Sequence, residues 1–172
     1  MTLQRNSKTF LQILNSNKGI IYKVANAYCK NEENRKDLIQ EIILQLWLAF
    51  PKYDKNYKLS TWMYRIALNV SISFYRKDSR RATISSAIPE SMLTIELTDD
   101  KPAEDPRLEL LAQFIRDLRS IDRAIMLLYL EEHSQQEIAD LLGLTASNVS
   151  TKFARIKQRL KDKFSTYKNI ER

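Results

Sequence analysis

The sequence has little of what disulfide-bonded proteins, zinc proteins and nucleotide-binding enzymes need. Its 172 residues include one cysteine, one histidine and two glycines. The single cysteine, Cys29, excludes an intramolecular disulfide, and together with the single histidine, His133, it cannot form a thiolate or imidazole zinc cluster. Two glycines leave no glycine-rich loop that could hold a phosphate. A reduced cytoplasm is the simplest location for such a chain.

Long apolar runs are also absent. The first 14 residues, MTLQRNSKTFLQIL, carry polar side chains where a signal peptide needs an unbroken apolar stretch. No later segment approaches the roughly 20 apolar residues of a membrane-spanning helix. We therefore expect a soluble protein without membrane insertion, and no residue pattern calls for a metal or a cofactor.

Charge is plentiful and unevenly distributed. The net charge of +7 divides into +9 for residues 1–84, −5 for residues 85–106 and +3 for residues 107–172. Two basic ends flank an acidic middle, so a polyanion such as DNA or RNA is an expected partner for the ends and not for the middle. A generally basic, solvated surface would have the same totals, so charge alone leaves both interpretations open.

The apolar periodicity predicts an all-α protein. Apolar residues recur at steps of three and four, as at Leu38, Ile42 and Leu46, and no strand pattern competes. We expect helices at residues 7–29, 34–50, 60–79, 108–118, 121–131, 134–142 and 146–165. They should form two small helical bundles, residues 1–81 and 107–172. Residues 82–106 hold three of the four prolines and are interpreted as an acidic linker.

The second bundle contains the pattern of a helix-turn-helix. Ser134 and Glu137 have the spacing of a capping box that begins a short helix, Gly143 supplies a turn, and Thr145 can cap a longer helix. The polar side of that longer helix carries Ser147, Asn148, Thr151, Lys152, Arg155 and Arg159. Hydroxyl and amide groups can reach base edges in a major groove, and the cations can extend to phosphates. The alternative is an ordinary amphipathic helix whose polar side meets water.

The segment after residue 50 mixes aromatic rings with cations. Tyr53 and Tyr57 alternate with Lys52, Lys55 and Lys58. An unpaired nucleic-acid strand needs rings on which its bases stack and charges that follow its backbone. Tyrosines near a loop are also often part of the core, so the pattern alone leaves both roles open.

The helix that begins at Ser60 has an apolar and a polar side when projected at about 100° per residue. The apolar side carries Trp62, Met63, Ile66, Ala67, Val70 and Phe74. Trp62 is therefore expected to lie mostly in the core. The polar side and the end of the helix carry Thr61, Arg65, Asn69, Arg76, Lys77, Arg80 and Arg81. The helix dipole favours cations at this end, whatever else they do.

The preceding helix has polar and apolar residues on one strip. Asp37, Gln40 and Glu41 should face water, yet the projection places Leu44 and Leu48 beside them. Exposed leucines next to a small acidic patch suggest a protein-docking surface. A neighbouring helix that covers the leucines would explain the pattern equally well.

Three of these segments resemble the extracytoplasmic-function (ECF) sigma factors of bacterial RNA polymerase. DLIQEIILQLW is similar to the family's Asp-x-x-Gln-Glu segment, and LSTWMYRIALN is similar to its Thr-Trp-Leu-Tyr-Arg-Ile-Ala-x-Asn segment. SQQEIADLLGLTASNVSTKFARIKQRL is similar to its fourth conserved region. The three segments cover both basic ends in the family's order. The chain departs from the pattern at Ser150, where Lys or Arg is usual, and at Arg119, where proline is usual.

The resemblance implies a protein partner for the first bundle. The strip Asp37, Gln40, Glu41, Leu44 and Leu48 would dock on the clamp of the largest subunit of core RNA polymerase. The flap of the second subunit would be a further contact. An anti-sigma factor is a candidate partner, although nothing in these residues demands one.

The resemblance also implies where promoter DNA binds. Unpaired bases of the minus-ten element would be captured by the tyrosine loop and the next helix, with Tyr53 and Asn69 as pocket residues. The residues implied there are Lys52, Tyr53, Lys55, Tyr57, Lys58, Trp62, Arg65, Asn69, Arg76, Lys77 and Arg80. The minus-thirty-five element would be recognised as duplex by Ser147, Asn148, Thr151, Lys152, Arg155 and Arg159.

The sequence thus predicts a promoter-specificity subunit of RNA polymerase without enzymatic activity of its own. A second hypothesis is a stand-alone helix-turn-helix repressor, which would bind duplex DNA tightly without polymerase and would leave the tyrosine loop unexplained. An enzyme is disfavoured. His133 is expected to be a solvated turn residue rather than a general base, and Cys29 is expected in the core rather than as a nucleophile.

Overall fold

The structure is a computed structural model that describes residues 2–76 and 105–170. These residues form seven α-helices and a short 3-10 turn, and none of them lies in a strand, so the all-α prediction is confirmed. The helices are α1 (Thr2–Tyr28), α2 (Glu32–Ala49), α3 (Leu59–Arg76), α4 (Pro106–Arg116), α5 (Ser120–Leu130), α6 (Gln135–Leu142) and α7 (Ala146–Ile170), and the 3-10 turn (Phe50–Lys52) follows α2.

The chain divides into two compact units, Met1–Pro102 and Ala103–Arg172. The first contains helices α1 to α3 and the second contains α4 to α7. The acidic linker expected at residues 82–106 lies outside the described residues, apart from its last two positions.

The first unit is a bundle in which each of the three helices packs against the other two. The periodic residues Leu38, Ile42 and Leu46 of α2 are fully buried, as their spacing predicted. Aromatic rings join α1 to the end of α2. The ring of Phe10 lies 5.2 Å from that of Trp47 and 5.3 Å from that of Phe50, centroid to centroid, in edge-on arrangements.

The buried side of α3 is rotated from the predicted one. Its buried residues are Met63, Tyr64, Ala67, Leu68, Ser71 and Ile72. The projection placed Met63 and Ala67 in the core correctly, whereas Trp62 and Val70 are only half-buried. Because α3 contacts both α1 and α2, its buried side extends to the flank that carries Tyr64.

The start of α4 is set by its cap. A side-chain oxygen of Asp105 accepts a hydrogen bond of 2.8 Å from the backbone N–H of Arg107, and Pro106 occupies the first helical turn. Proline is favoured there because the N–H that it lacks would have no partner in the helix. The expected start at residue 108 was therefore two residues late, and Pro106 belongs to the helix rather than to the linker.

A buried arginine joins α4 to α5. Arg123 is 9% exposed, and its guanidinium donates hydrogen bonds to the backbone carbonyl oxygens of Arg116 and Leu118, the second at 2.9 Å. The last carbonyls of a helix have no partner within the helix. Arg123, which belongs to α5, supplies hydrogen-bond donors for carbonyl oxygens at the end of α4 and thereby ties the two helices together.

Helices α6 and α7 form the predicted helix-turn-helix. The backbone N–H of Ser134 donates to Glu137 Oε2 at 2.7 Å, and the N–H of Glu137 donates to Ser134 Oγ at 3.2 Å, which completes the capping box. Gly143 ends α6 with a φ of +67°, in the left-handed region. Thr145 Oγ1 accepts from the N–H of Asn148 at 3.1 Å at the start of α7. The predicted cap, turn and second cap are all confirmed.

Candidate nucleic-acid interface

The loop between α2 and α3 is closed by its own hydrogen bonds. The hydroxyl of Tyr53 donates to the carbonyl oxygen of Tyr57 at 2.7 Å. The carbonyl oxygen of Asp54 accepts from the N–H of Tyr57 at 3.1 Å, and the carboxylate of Asp54 accepts from the N–H of Asn56 at 2.9 Å. A loop already held in one conformation loses less entropy when a ligand orders it.

The two tyrosines of this loop have different surroundings. Tyr53 is half-buried, and the centroid of its ring lies 4.9 Å from that of Trp62 with the two planes at 46°. Tyr57 is 68% exposed. Tyr57 therefore has ring surface available for a ligand, whereas Tyr53 already uses its hydroxyl and part of its ring inside the protein. Trp62 packs against the loop, and most of its surface is covered, as expected, although part of it remains exposed.

Four cations and an amide lie near this loop in the sequence. The residues Lys52, Lys55, Lys58, Arg65 and Asn69 are all exposed. None of the four cations among them forms an ion pair within the described parts of the chain. Arg65 and Asn69 stand one turn apart on α3 and so share a face. The side chain of Arg76, and the whole of Lys77 and Arg80, lie outside the described residues.

The strip on α2 is open to solvent at most of its positions. Asp37 and Gln40 are exposed, and Leu48 is 55% exposed. Glu41 is half-buried, and its Oε1 accepts a hydrogen bond of 3.0 Å from the side-chain amide of Gln45. The strip therefore combines carboxylates, an amide and one exposed leucine.

The expectation that Leu44 belongs to this exposed strip is wrong. Leu44 is 2% exposed and forms part of the core. Helix α2 packs against both α1 and α3, so its buried side is wider than a single stripe. The alternative that a neighbouring helix covers the leucines is thus correct for Leu44 and incorrect for Leu48.

The second helix of the helix-turn-helix, α7, buries one side and exposes the other. Val149, Phe153 and Ile156 are buried, as predicted. The exposed residues of the predicted DNA-reading side are Ser147, Asn148, Thr151, Arg155 and Arg159. The hydroxyl of Thr151 donates to the carbonyl oxygen of Ser147 at 3.0 Å, so its proton is used within the helix.

Lys152 differs from these neighbours, which corrects its expected place on the open face. It is half-buried, and its Nζ lies 3.4 Å from a carboxylate oxygen of Asp122 in the first turn of α5. Lys163 similarly lies 3.3 Å from Asp117, with its Nζ 5.9 Å from the ring centroid of Phe114. Both lysines attach α7 to the other helices of the second unit.

Cys29 and His133 lie in packed positions. Cys29 is 2% exposed, so its expected place in the core is confirmed. His133 was expected to be solvated, and this is wrong: its side chain is 15% exposed, and Nδ1 lies 4.0 Å from Glu137 Oε2. Across residues 2–76 and 105–170, no group of three or more His, Cys, Asp or Glu is placed to hold a metal ion. No helix in the described part of the chain is both long enough and apolar enough to span a membrane.

Comparisons with known proteins match both units. The family model of sigma-70 region 2 matches residues 13–81, and that of sigma-70 region 4 matches residues 108–160. The ECF RNA polymerase sigma factor SigM of Bacillus subtilis is 26% identical over 153 residues, which cover 88% of this chain and 92% of SigM. SigW of the same bacterium is 27% identical over 162 residues, which cover 88% of this chain and 87% of SigW.

Solved structures share the fold. CnrH in complex with the cytosolic domain of CnrY has a TM-score of 0.63 at 22% identity, and the match covers 95% of this chain and 94% of CnrH. RpoE of Bartonella quintana in complex with the anti-sigma factor NepR has a TM-score of 0.68 at 18% identity, and the match covers 92% of this chain and 98% of RpoE. The helical fold with regions 2 and 4 in order defines a sigma factor of the sigma-70 type. Within that class, the chain belongs to the ECF sigma factors of RNA polymerase.

Proposed function

We propose that the chain docks on core RNA polymerase through α2, holds an unpaired promoter strand on the tyrosine loop and α3, and recognises duplex DNA with α7. One observation carries this proposal. Most of the described residues to which the resemblance assigns a contact with polymerase or DNA are exposed, while the apolar residues between them are largely buried.

The docking surface consists of Asp37, Gln40, Glu41 and Leu48. An exposed leucine beside polar and charged groups suits an interface with an apolar centre and a polar rim. The carboxylates select a basic partner surface, which we assign to the clamp of the largest polymerase subunit. Leu44 supports this surface from the core and is not a contact.

At the loop, Tyr57 is the ring on which a base stacks, and Tyr53 positions it. Lys52, Lys55 and Lys58 surround the loop with cations for the strand's phosphates. Asn69 and Arg65 add an amide and a charge on the adjoining helix. Since a stacked, unpaired base is available only after the strands separate, binding here favours the melted promoter.

On α7, the amino-terminal residues Ser147 and Asn148 enter the major groove of the minus-thirty-five element. Arg155 contacts a base edge, and Arg159 contacts phosphate. Lys152 keeps its ion pair with Asp122 and serves the packing of the helix.

The protein has no enzymatic activity of its own in this proposal, and it acts in the cytoplasm, where RNA polymerase transcribes. An anti-sigma factor is a candidate regulator. CnrH and RpoE were each solved with a partner protein, which supports looking for one.

Run-off transcription tests the proposal. The full chain added to core RNA polymerase should produce transcripts from genomic DNA fragments that the core enzyme alone does not transcribe. The double variant Asp37→Arg with Glu41→Arg should lose both co-purification with the core enzyme and these transcripts. Asp140→Arg with Asp162→Arg changes the net charge equally on the second unit and should keep both.

Retained co-purification of the Asp37→Arg, Glu41→Arg variant would contradict the docking assignment. Tight binding of duplex DNA without polymerase, together with no transcript, would indicate the stand-alone repressor instead.

A further inference from the structure

The solvent side of α1 is cationic and free of acids. Residues 1–31 contain five Lys or Arg and no Asp or Glu. The exposed residues of the helix include Lys8, Gln12, Asn15, Lys18, Gly19 and Lys23, which we call the α1 basic face. Among the seven described helices only α1 and α3 lack an acid, and α3 already carries a proposed DNA contact. A helix face that only meets water normally mixes both signs of charge.

Lys8 and Lys18 have no carboxylate partner among the residues that the structure describes. Neither lysine forms an ion pair within the parts of the chain that the structure describes. By contrast, the ammonium of Lys36 lies 2.9 Å from a carboxylate oxygen of Glu32, and Lys152 and Lys163 have carboxylate partners elsewhere in the second unit. Two cations left unpaired on an acid-free face are available to an anionic ligand.

Gly19 lies on this face, although the packing of the protein does not require a glycine at this position. It lies well inside the 27-residue helix α1, where glycine costs roughly 0.5–1 kcal/mol relative to alanine. A Cβ atom added at Gly19 would meet nothing within 4 Å, so packing inside the protein does not require its absence. Lys8, Asn15 and Gly19 project within about 40° of one another. The glycine therefore leaves a flat place between polar side chains, where a partner can approach the helix backbone.

We propose that the α1 basic face binds the phosphodiester backbone of promoter DNA. Lysine and amide side chains are groups that contact phosphates and sugars without reading sequence. From Lys8 to Lys23 the helix rises by about 22 Å, over which one strand of B-form DNA carries about six phosphates. The contact adds affinity for any promoter sequence. This inference depends on the proposed function in one respect, namely that the anionic ligand is DNA.

Salt-dependent binding of the full chain tests this inference. The probes are a fluorescent 30-base-pair duplex and a 30-nucleotide single strand, with Kd measured by anisotropy at several KCl concentrations. The double variant Lys8→Gln with Lys18→Gln should reduce the slope of log Kd against log salt by about 1.8 on duplex or about 1.4 on single strand. The larger reduction identifies the form of DNA that this face holds. Lys36→Gln with Arg107→Gln removes two cations that already have carboxylate partners, and should leave the slope nearly unchanged.

A second variant tests the close approach. Gly19→Ala should raise the midpoint temperature of unfolding and yet weaken DNA binding, a combination that a structural role would not produce. Equal slopes of log Kd against log salt for the wild type and the Lys8→Gln, Lys18→Gln variant would overturn the inference. Transcription by the wild type would still support the proposed function in that case. Poly-L-glutamate serves as an acidic polypeptide probe. If the Lys8→Gln, Lys18→Gln variant binds poly-L-glutamate more weakly than the wild type but binds DNA equally well, the inference is overturned and an acidic protein partner is indicated.

Discussion

The hydroxyl of Tyr53 donates a hydrogen bond of 2.7 Å to the main-chain carbonyl oxygen of Tyr57. One tyrosine thus holds the backbone that carries the other, while Tyr57 keeps most of its ring in solvent. Two nearby residues of the same type therefore have different roles. The first orders the loop, and the second leaves its ring exposed, where the proposed function places a stacked base.

Substitutions should separate these two roles. Tyr57→Ala should weaken binding of an unpaired minus-ten strand by about 1–3 kcal/mol, or about 5- to 150-fold, without lowering the midpoint temperature, because it removes an exposed ring. Tyr53→Phe keeps the ring against Trp62 and should lower the free energy of unfolding by about 1 kcal/mol through the lost hydrogen bond. Anisotropy with a labelled single strand and thermal unfolding measure the two effects. Unchanged strand affinity in Tyr57→Ala would contradict the stacking role.

On α7, Arg155 and Lys152 should respond differently to removal. Arg155→Ala should cost about 1–3 kcal/mol of binding on one upstream sequence and less on others, since a base contact is sequence-specific. Lys152→Ala should lower the free energy of unfolding by about 1 kcal/mol at most and leave sequence discrimination unchanged, since its ammonium is paired with Asp122. Measuring the affinity of each variant for a panel of upstream DNA sequences distinguishes a base contact from a packing role. A uniform loss for Arg155→Ala would indicate a phosphate contact instead.

Removal of the buried guanidinium of Arg123 should destabilise the protein. Arg123→Met keeps much of the side chain's volume but leaves the carbonyl oxygens of Arg116 and Leu118 without their donor. We expect a loss of about 3 kcal/mol in the free energy of unfolding, measured by urea denaturation. Arg107→Met, at an exposed arginine of α4, is the matched control and should change this energy little. A loss below 1 kcal/mol in Arg123→Met would mean that the hydrogen bonds contribute little.

The turn of the helix-turn-helix should require its glycine. Gly143→Ala places a Cβ at a φ of +67° and should reduce the free energy of unfolding by about 1–2 kcal/mol, because L-residues are strained there. Gly143→Asn should cost less, since asparagine tolerates this conformation better. Thermal unfolding of both variants gives the comparison. Equal stability of Gly143→Ala and the wild type would contradict the explanation.

Features that depend on near neighbours in the chain were predictable. The capping box of Ser134 and Glu137, the left-handed Gly143 and the cap at Thr145 each involve groups no more than four residues apart. The burial of Leu38 and Val149 followed from apolar periodicity. These predictions required no knowledge of other helices.

The wrong predictions about buried sides in α2 and α3 share one cause. A helical projection assigns each helix a single buried side, but α2 and α3 each pack against two other helices. This wider contact buried Leu44 and Tyr64, and left Trp62 at the margin beside Tyr53. The pairing of Lys152 with Asp122, 30 residues away in the chain, had no local signal at all.

The sequence by itself determined where the helices lie, how they are capped and which family's segments they carry, because capping and periodicity act within one or two helical turns. Only the tertiary structure decided which polar and aromatic groups remain available to a partner. Availability depends on how many helices surround a residue and on which distant side chain meets it. Those quantities exist only once the bundle has assembled.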